Sequence, residues 1–171
     1  MSGGTVEVRE LPPELADAAR CLVLAGLGEH WGHVDPALNR DLADVAATYA
    51  AGSILVACDG ERVVGTGTIV PRSHRSAEIV RMSVASAYGR TGLGHRLVLE
   101  LVERAIGWGM DRVVLETSAH WTDVVEFYLR CGFIQTHFED GEFGRDAWFE
   151  MQLGPGSTHP DQVETGDVGV L

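Results

Sequence analysis

Residues 77–96 read AEIVRMSVASAYGRTGLGHR, and this stretch gives the clearest indication of the fold. An apolar run over 77–84 predicts a β-strand, and small residues with Gly92 and Gly94 then lead into a long helical pattern. The amides of a first helical turn lack partners, and the helix dipole favours an anion beside them. Glycine allows the backbone to approach a phosphate closely. The stretch therefore predicts a phosphate site where the strand turns into the helix.

Two common phosphate loops do not fit this stretch. A dinucleotide fingerprint would need a third glycine near Leu97, and a Walker loop would need a lysine, which the chain does not contain. Alone, a pair of glycines before a helix is weak evidence, because many helices begin at glycine. Arg90 and Arg96 add positive charge to the loop, which therefore indicates a pyrophosphate site of another kind.

Predicted strands and helices alternate on both sides of this stretch. Strands are expected over 6–10, 53–58, 62–70, 77–84, 112–117, 134–138 and 147–153. Helices are expected from Pro12 to Gly26 or Gly28, over 41–51, from Gly92 to Gly107 and from Asp123 to Gly132, with a loop over 27–39. The fourth helix has a capping-box-like start, with Glu126 three residues after Asp123. This order predicts a mixed α/β fold, in which an antiparallel meander precedes a strand–helix–strand crossover.

Composition excludes several classes of function. The chain of 171 residues has a formal net charge of −12, and all 13 of its basic residues are arginine. Without lysine there is no Schiff-base chemistry, and the acidic balance argues against nucleic-acid binding and favours cationic partners. Three widely spaced cysteines suggest a reducing compartment and no metal site. With no membrane-length apolar run and no signal peptide, we expect a cytoplasmic protein that does not engage membranes, with a mobile acidic tail over 154–171.

A second stretch, VVLETSAHWTDVVEFYLRCGF over 113–133, complements the first. Together they resemble the GNAT superfamily of acetyl-CoA-dependent N-acetyltransferases, in their order and spacing. The family pattern is a strand ending in hydrophobic-x-V, then R/Q-x-x-G-x-G/A, a long helix, a strand and a helix carrying Y-x-x-x-G-F. Its counterparts here are MSV at 82–84, GRTGLG at 89–94 and YLRCGF at 128–133, with Gly89 where the family often has Gln or Arg.

The resemblance implies a single GNAT-like domain over 1–153. Its fold would be a central, mostly antiparallel mixed sheet of about six to seven strands flanked by about four helices. Acetyl-CoA would be the cosubstrate, with its pyrophosphate on the helix amides and its pantetheine arm lying between two splayed strands. The residues implied in binding it are Met82, Ser83, Val84, Arg90, Thr91, Gly92, Leu93, Gly94, His95 and Arg96.

The resemblance also implies a reaction, the aminolysis of a thioester. An alkylamine with a pKa near 10.4 must lose a proton before it attacks, which requires a base or a relay of waters to one. Glu78, expected on one strand face with Val80 and Met82, corresponds to the glutamate base of protein-lysine acetylating members. Tyr128 corresponds to the tyrosine that protonates the leaving thiolate. The rival interpretation, that these side chains are a solvated acid and a core tyrosine, stays open at this point.

The acceptor is the least determined part of the prediction. Glu29, His30 and Trp31 are expected in a loop that forms a wall of the acceptor cleft. The net charge favours a cationic amine, either a small molecule or a protein, and the resemblance is compatible with a homodimer. Alternative functions are a non-catalytic CoA-binding module, a protein-interaction domain, and transfer of an acyl group other than acetyl, which the space near Met82 and Phe127 would decide.

Overall fold

The computed structural model describes residues 4–154, which form one seven-stranded sheet and four α-helices. The strands are β1 (Glu7–Glu10), β2 (Ser53–Asp59), β3 (Arg62–Pro71), β4 (Ser76–Val84), β5 (Arg112–Ser118), β6 (Ile134–Gly141) and β7 (Gly144–Gln152). The helices are α1 (Ala16–Trp31), α2 (Val45–Thr48), α3 (Leu93–Gly107) and α4 (Thr122–Arg130). Short 3-10 turns lie at Pro13–Leu15, Pro36–Leu38, Arg40–Asp44 and Ser86–Tyr88.

The strand order across the sheet is β1-β2-β3-β4-β5-β7-β6. Every neighbouring pair is antiparallel except β4 and β5, which are parallel and connected by α3. The predicted meander followed by a crossover is therefore confirmed, as is the mixed, mostly antiparallel sheet with about four helices.

The main core lies between the sheet and α3. Leucines at positions 97 and 101 and Val98 are fully buried because they repeat at helical spacing on the face that α3 turns to the strands. Tyr128 of α4 and Phe149 of β7 extend this core toward the far edge of the sheet. The opposite face carries α1 and α2, which enclose a smaller core. The sheet is thus covered on both sides along β2–β4.

The prediction that α1 ends at Gly26 or Gly28 is wrong. The helix continues to Trp31 and ends at Gly32, whose φ of 73° is the left-handed conformation typical of a helix terminus. A Cβ at Gly26 would lie 2.6 Å from Ser83 Oγ, so this glycine allows close packing of α1 on β4 rather than ending the helix. A glycine inside a helix costs about 1 kcal/mol, which tertiary packing readily outweighs. Glu29, His30 and Trp31 therefore lie in the last helical turn and not in a loop.

Two further boundaries differ from the prediction. The helix expected over 41–51 is a 3-10 turn followed by the single turn of α2, because the Asp44 carboxylate accepts a hydrogen bond from Ala47 N at 3.0 Å and starts a new turn there. The capping box expected at Asp123 is absent, since α4 begins at Thr122 after Trp121, which makes no side-chain cap.

None of the helices within residues 4–154 is both long enough and apolar enough to cross a membrane. Of the predicted acidic tail, residues 155–171 lie outside the described part of the chain.

Candidate active site

β4 and β5 open into a wedge. Their parallel ladder has three residue pairs, the last of which joins Glu78 to Val114. β4 then continues to Val84 while paired to β3, and β5 continues to Ser118 while paired to β7. Two strand edges with unused peptide groups therefore face each other across the wedge, an arrangement that an extended ligand could complete by backbone hydrogen bonds. Met82, Ser83 and Val84 lie on its β4 side.

The amino terminus of α3 lies at the open end of the wedge. Gly92 has φ 86° and precedes the helix, whose first hydrogen bond runs from Arg96 N to Gly92 O at 3.0 Å. Within residues 4–154 the amides of Leu93, Gly94 and His95 have no carbonyl acceptor, which leaves three donors and the positive end of the helix dipole for an anion.

Close packing joins this turn to both sides of the wedge. A Cβ at Gly94 would lie 3.1 Å from Phe127 Cζ on α4 and 3.7 Å from Val84 Cγ2 on β4. Only glycine leaves the ring of Phe127 undisturbed, so α4 sits directly against the candidate phosphate site. This contact brings together the two motifs, although Gly94 and Phe127 are 33 positions apart in the sequence.

The polar side chains of the loop differ in what they contact. Arg90 is exposed with a positive φ of 60°, so its guanidinium is accessible to a ligand. Thr91 Oγ1 donates to Tyr88 O at 2.6 Å. Arg96 points away, since its Nη1 donates to Val6 O at 2.8 Å, and only its backbone remains at the site. His95 Nδ1 lies 3.9 Å from the sulfur of Cys131, a histidine–cysteine contact that the sequence spacing did not indicate.

Tyr128 is buried on α4, with 6% of its surface exposed. Its ring packs against Phe127, Phe133 and Phe149 at centroid distances of 5.1–6.3 Å. The hydroxyl makes no hydrogen bond to another residue within 4–154. Burial raises the pKa of Tyr128 well above its usual value, so the group is a neutral phenol with a free proton to donate.

Glu78 lies at the apex of the wedge and is 8% exposed. Its Oε2 accepts a hydrogen bond from Arg72 Nε, which leaves Oε1 without a partner among the described residues. The prediction that Glu78 shares a face with Met82 is wrong. Ala77 and Ile79 face α3, so Glu78 faces the other side, whereas Met82 lies beside Leu101 of α3. A bulge in β4 between these positions inverts the alternation.

Glu116 is a further acidic residue of the site that was not predicted. It lies on β5 two residues beyond the apex, between Leu115 and Thr117, which face the core. It is exposed by area, yet desolvation raises the pKa of its carboxyl, and the nearby carboxylates of Asp146, Glu78 and Glu139 raise it further. An acidic residue between two buried ones is the usual pattern of a strand with one solvent-exposed face. No signal in the sequence therefore distinguished Glu116 from an ordinary surface residue. With Glu78, whose carboxylate is paired with Arg72, it places two acidic side chains on the face opposite α3.

The last turn of α1 meets the start of α4. His30 lies 4.4 Å and Trp31 5.2 Å from the Trp121 ring centroid, and His30 Nε2 lies 3.8 Å from an Asp123 carboxylate oxygen. Because α1 packs on β4 and Trp121 follows β5, these aromatic groups cross the open end of the wedge. Of the predicted acceptor residues, His30 and Trp31 take part in this cluster, and Glu29 is an exposed neighbour.

The sequence profile of the Acetyltransferase (GNAT) family matches residues 17–133, more than half of the chain. The protein belongs to the GNAT family. Among curated relatives, N-acetyltransferase 8F1 of Rattus norvegicus is 32% identical over 117 residues, which cover 64% of this chain and 53% of the rat protein. The chain thus spans about half the length of that relative.

Two further similarities cover more of the molecule. Glucosamine 6-phosphate N-acetyltransferase 1 of Oryza sativa subsp. japonica is 29% identical over 151 residues, 82% of this GNAT chain and 90% of the rice protein. A GNAT acetyltransferase from Elizabethkingia anophelis, crystallised with acetyl-CoA bound, superposes with a TM-score of 0.67 at 16% identity, over 86% of this chain and 98% of that one. The predicted family and fold are confirmed.

Among residues 4–154, no three histidine, cysteine or acidic side chains are grouped so that they could hold a metal ion.

Proposed function

We propose that this GNAT protein transfers an acetyl group from acetyl-CoA to a primary amine, and that the acceptor is cationic. The observation that carries the proposal is the wedge between β4 and β5, which ends at the unpaired amides of α3. The extended arm and the pyrophosphate of acetyl-CoA match these two features in order along the molecule. When bound, acetyl-CoA supplies an acetyl group activated as a thioester.

Glu78 is the proposed base. In the reaction a C–N bond forms and the C–S bond breaks. The ammonium group loses one proton to become the nucleophile and a second as the amide forms, and one of these two protons ends on the released thiol. An alkylammonium with a pKa near 10.4 is a much weaker acid than a carboxylic acid near 4.3, so direct deprotonation is uphill by about 8 kcal/mol. A carboxylate with a higher pKa reduces that cost, and a relay of waters can carry the proton to it. Glu116 lies on the same face of the sheet, and its raised pKa makes the difference from the pKa of the ammonium group smaller. The free Oε1 of Glu78 can receive the proton.

Tyr128 is the proposed donor to the leaving sulfur. A thiol with a pKa near 8.5 leaves as thiolate, and a neutral phenol can stabilise it by a hydrogen bond. Because the pKa of Tyr128 lies above that of the thiol, sharing of the proton is favoured over its complete transfer. The Tyr128 hydroxyl has no competing partner within the described residues, so this proton is available.

A cationic acceptor fits the face opposite α3. Glu78 and Glu116 lie there with Asp146, and Trp148 stands opposite Glu116 in the β5–β7 register. Carboxylates and an indole ring both attract an ammonium group. The aromatic cluster of His30, Trp31 and Trp121 limits the open end of the wedge, where an acceptor would enter.

Calorimetric titration of acetyl-CoA tests the proposal. Gly94→Glu introduces a carboxylate and the bulk that Phe127 cannot tolerate at the phosphate site. Gly107→Glu makes the same charge change at the other end of α3, where a Cβ meets nothing within 4 Å. We expect the wild type and Gly107→Glu to bind and the folded Gly94→Glu variant to lose binding. No binding by the wild type would overturn the proposal.

Turnover on a panel of amines tests the reaction itself. Thiol release should be faster with diamines and polyamines than with neutral primary amines of similar size, and the KM of a polyamine should rise with salt because the carboxylates are screened. Tight acetyl-CoA binding without turnover on any amine would instead identify a CoA-binding module.

A further inference from the structure

β4 contains a backbone conformation that its residue type disfavours. In the β3–β4 ladder one residue, Gly67, stands opposite two, Arg81 and Met82, which defines a β-bulge. Arg81 has φ 53°, the left-handed region that a residue with a Cβ rarely adopts. The bulge follows the apex of the wedge and precedes Ser83 and Val84, so it determines how the free edge of β4 is presented.

Arg81 is held by a network on the side of α1 and α2. Its guanidinium binds Asp41 through two hydrogen bonds, Nε–Oδ2 at 2.7 Å and Nη2–Oδ1 at 2.6 Å. Tyr49 Oη donates to the same Asp41 Oδ2 at 2.5 Å, and Thr48 Oγ1 donates to the Asp41 carbonyl at 3.1 Å. The Arg81 and Asp41 side chains are each less than one-quarter exposed.

The ionisation of Asp41 is matched to this role. Burial alone would raise the pKa of Asp41, but the hydrogen bonds from Arg81 and Tyr49 outweigh it, and the pKa lies below its usual range. The carboxylate is therefore ionised whenever the protein is folded near neutral pH. The carboxylate of Asp41, 40 residues before Arg81 in the sequence, thus accepts both hydrogen bonds from the Arg81 guanidinium.

We propose that Asp41, Arg81 and Tyr49 form a clamp that holds the bulge of β4, and that Arg81 and Asp41 are positioning residues for the strand edge that receives acetyl-CoA. The clamp acts through the backbone. It stabilises the left-handed conformation of Arg81, turns Met82 toward α3 and directs Ser83 toward α1, where its Oγ donates to Leu22 O at 3.2 Å. The effect on ligand binding rests on the function proposed above, whereas the effect on the backbone does not.

Glycine and alanine at position 81 separate the backbone from the side chain. Glycine adopts φ 53° without strain, so Arg81→Gly removes the clamp but preserves the bulge. Arg81→Ala removes the clamp and retains a Cβ that disfavours the bulge. We expect Arg81→Ala to weaken acetyl-CoA binding by about tenfold or more and Arg81→Gly by less than about threefold, since ångström displacements at a binding edge carry costs of this size. Asp41→Asn should resemble Arg81→Ala.

Hydrogen exchange supplies a readout that does not depend on the ligand. The amides of β4 that bond to β3 beside the bulge, and the amide of Ala85, which donates to Val64 O at 2.9 Å, should exchange faster in Arg81→Ala and Asp41→Asn than in the wild type, and remain protected in Arg81→Gly. Arg104→Ala is the matched control, because it removes an arginine–carboxylate pair with Glu10 away from β4 and should change neither readout. If Arg81→Ala does not fold, Asp41→Asn and Tyr49→Phe remove the clamp more gently.

The outcomes discriminate between the two proposals. Equal losses in Arg81→Gly and Arg81→Ala would show that the arginine acts through its own charge and would overturn the clamp. Unchanged affinity and unchanged exchange in both Arg81→Ala and Asp41→Asn would also overturn it. Failure of the wild type to bind acetyl-CoA would defeat the proposed function alone, because the exchange experiment would still decide whether the clamp holds the bulge.

Discussion

Replacing Tyr128 with phenylalanine removes one oxygen atom and should change stability and activity in different ways. The ring is 6% exposed and keeps its contacts with Phe127, Phe133 and Phe149 in the variant. The lost hydroxyl has no partner within residues 4–154, so its removal breaks no hydrogen bond of the described fold. A largely buried hydroxyl without a partner is unfavourable, and we therefore expect the free energy of unfolding to stay equal or to increase by about 1 kcal/mol.

The expected loss of activity is much larger. If the phenol donates to the departing sulfur, its removal should lower kcat by about 100-fold, the lower end for a positioned proton donor, which corresponds to about 2.7 kcal/mol of transition-state stabilisation. The lower end applies because the raised pKa of Tyr128 favours hydrogen bonding over full proton transfer. The affinity for acetyl-CoA should change little, since the ground-state thioester carries no charge on sulfur.

Steady-state thiol release, calorimetric binding and thermal unfolding would be measured on the same preparations. Tyr88→Phe is the control, because Tyr88 Oη donates to Asp59 at 2.5 Å and the change should lower Tm while leaving kcat intact. A kcat within threefold of the wild type in a stable Tyr128→Phe variant would refute the proposed role at the leaving group. Tyr128 would then be a core residue only.

Three other predictions concern charge and packing. Glu116→Gln should raise Tm at pH 7.5, because the raised pKa of the Glu116 carboxyl means that its ionisation opposes folding. The gain in Tm should vanish below about pH 4, where the carboxyl is protonated in both the folded and the unfolded chain. Equal gains in Tm at both pH values would contradict this. Gly52→Ala should destabilise by about 1–3 kcal/mol in denaturant titrations, because its Cβ would lie 2.1 Å from Ile69 O, whereas Gly107→Ala should be tolerated. All three tyrosines have raised pKa values, so phenolate absorbance should appear only above about pH 10 in the folded chain and at lower pH in denaturant. The free energy of unfolding should therefore fall as the pH rises above about 10.

Local sequence patterns predicted the parts of the fold that depend on local physics. The apolar rows of α3 and the two glycines at its start identified both the helix and its candidate anion site, because helical spacing and a missing Cβ are visible in the sequence. The missing Cβ of Gly26 led to the wrong prediction that α1 ends there. Its lack of a side chain serves a contact with Ser83 more than fifty residues away, and the sequence does not show whether a glycine ends a helix or allows another element to approach.

Parts of the candidate site depend on long-range contacts and could not be predicted. Arg81 adopts a left-handed conformation without being glycine, because Asp41 stabilises it from a distant turn. The resulting bulge moves Met82 to the face opposite Glu78, which reversed a prediction based on strict alternation. Glu116 was overlooked because its altered ionisation comes from burial and from carboxylates on neighbouring strands.

The three-pair ladder between β4 and β5 also has a mechanical meaning. It is the narrow seam between one half-sheet, β1–β4, and another, β5–β7–β6, with α3 crossing over it. A ligand that bonds to both free edges acts as a removable eighth strand and joins the two halves. When the two half-sheets are pulled apart, the force needed to separate them should then rise with acetyl-CoA concentration. The residence time of a bound molecule should determine how long the two half-sheets move together.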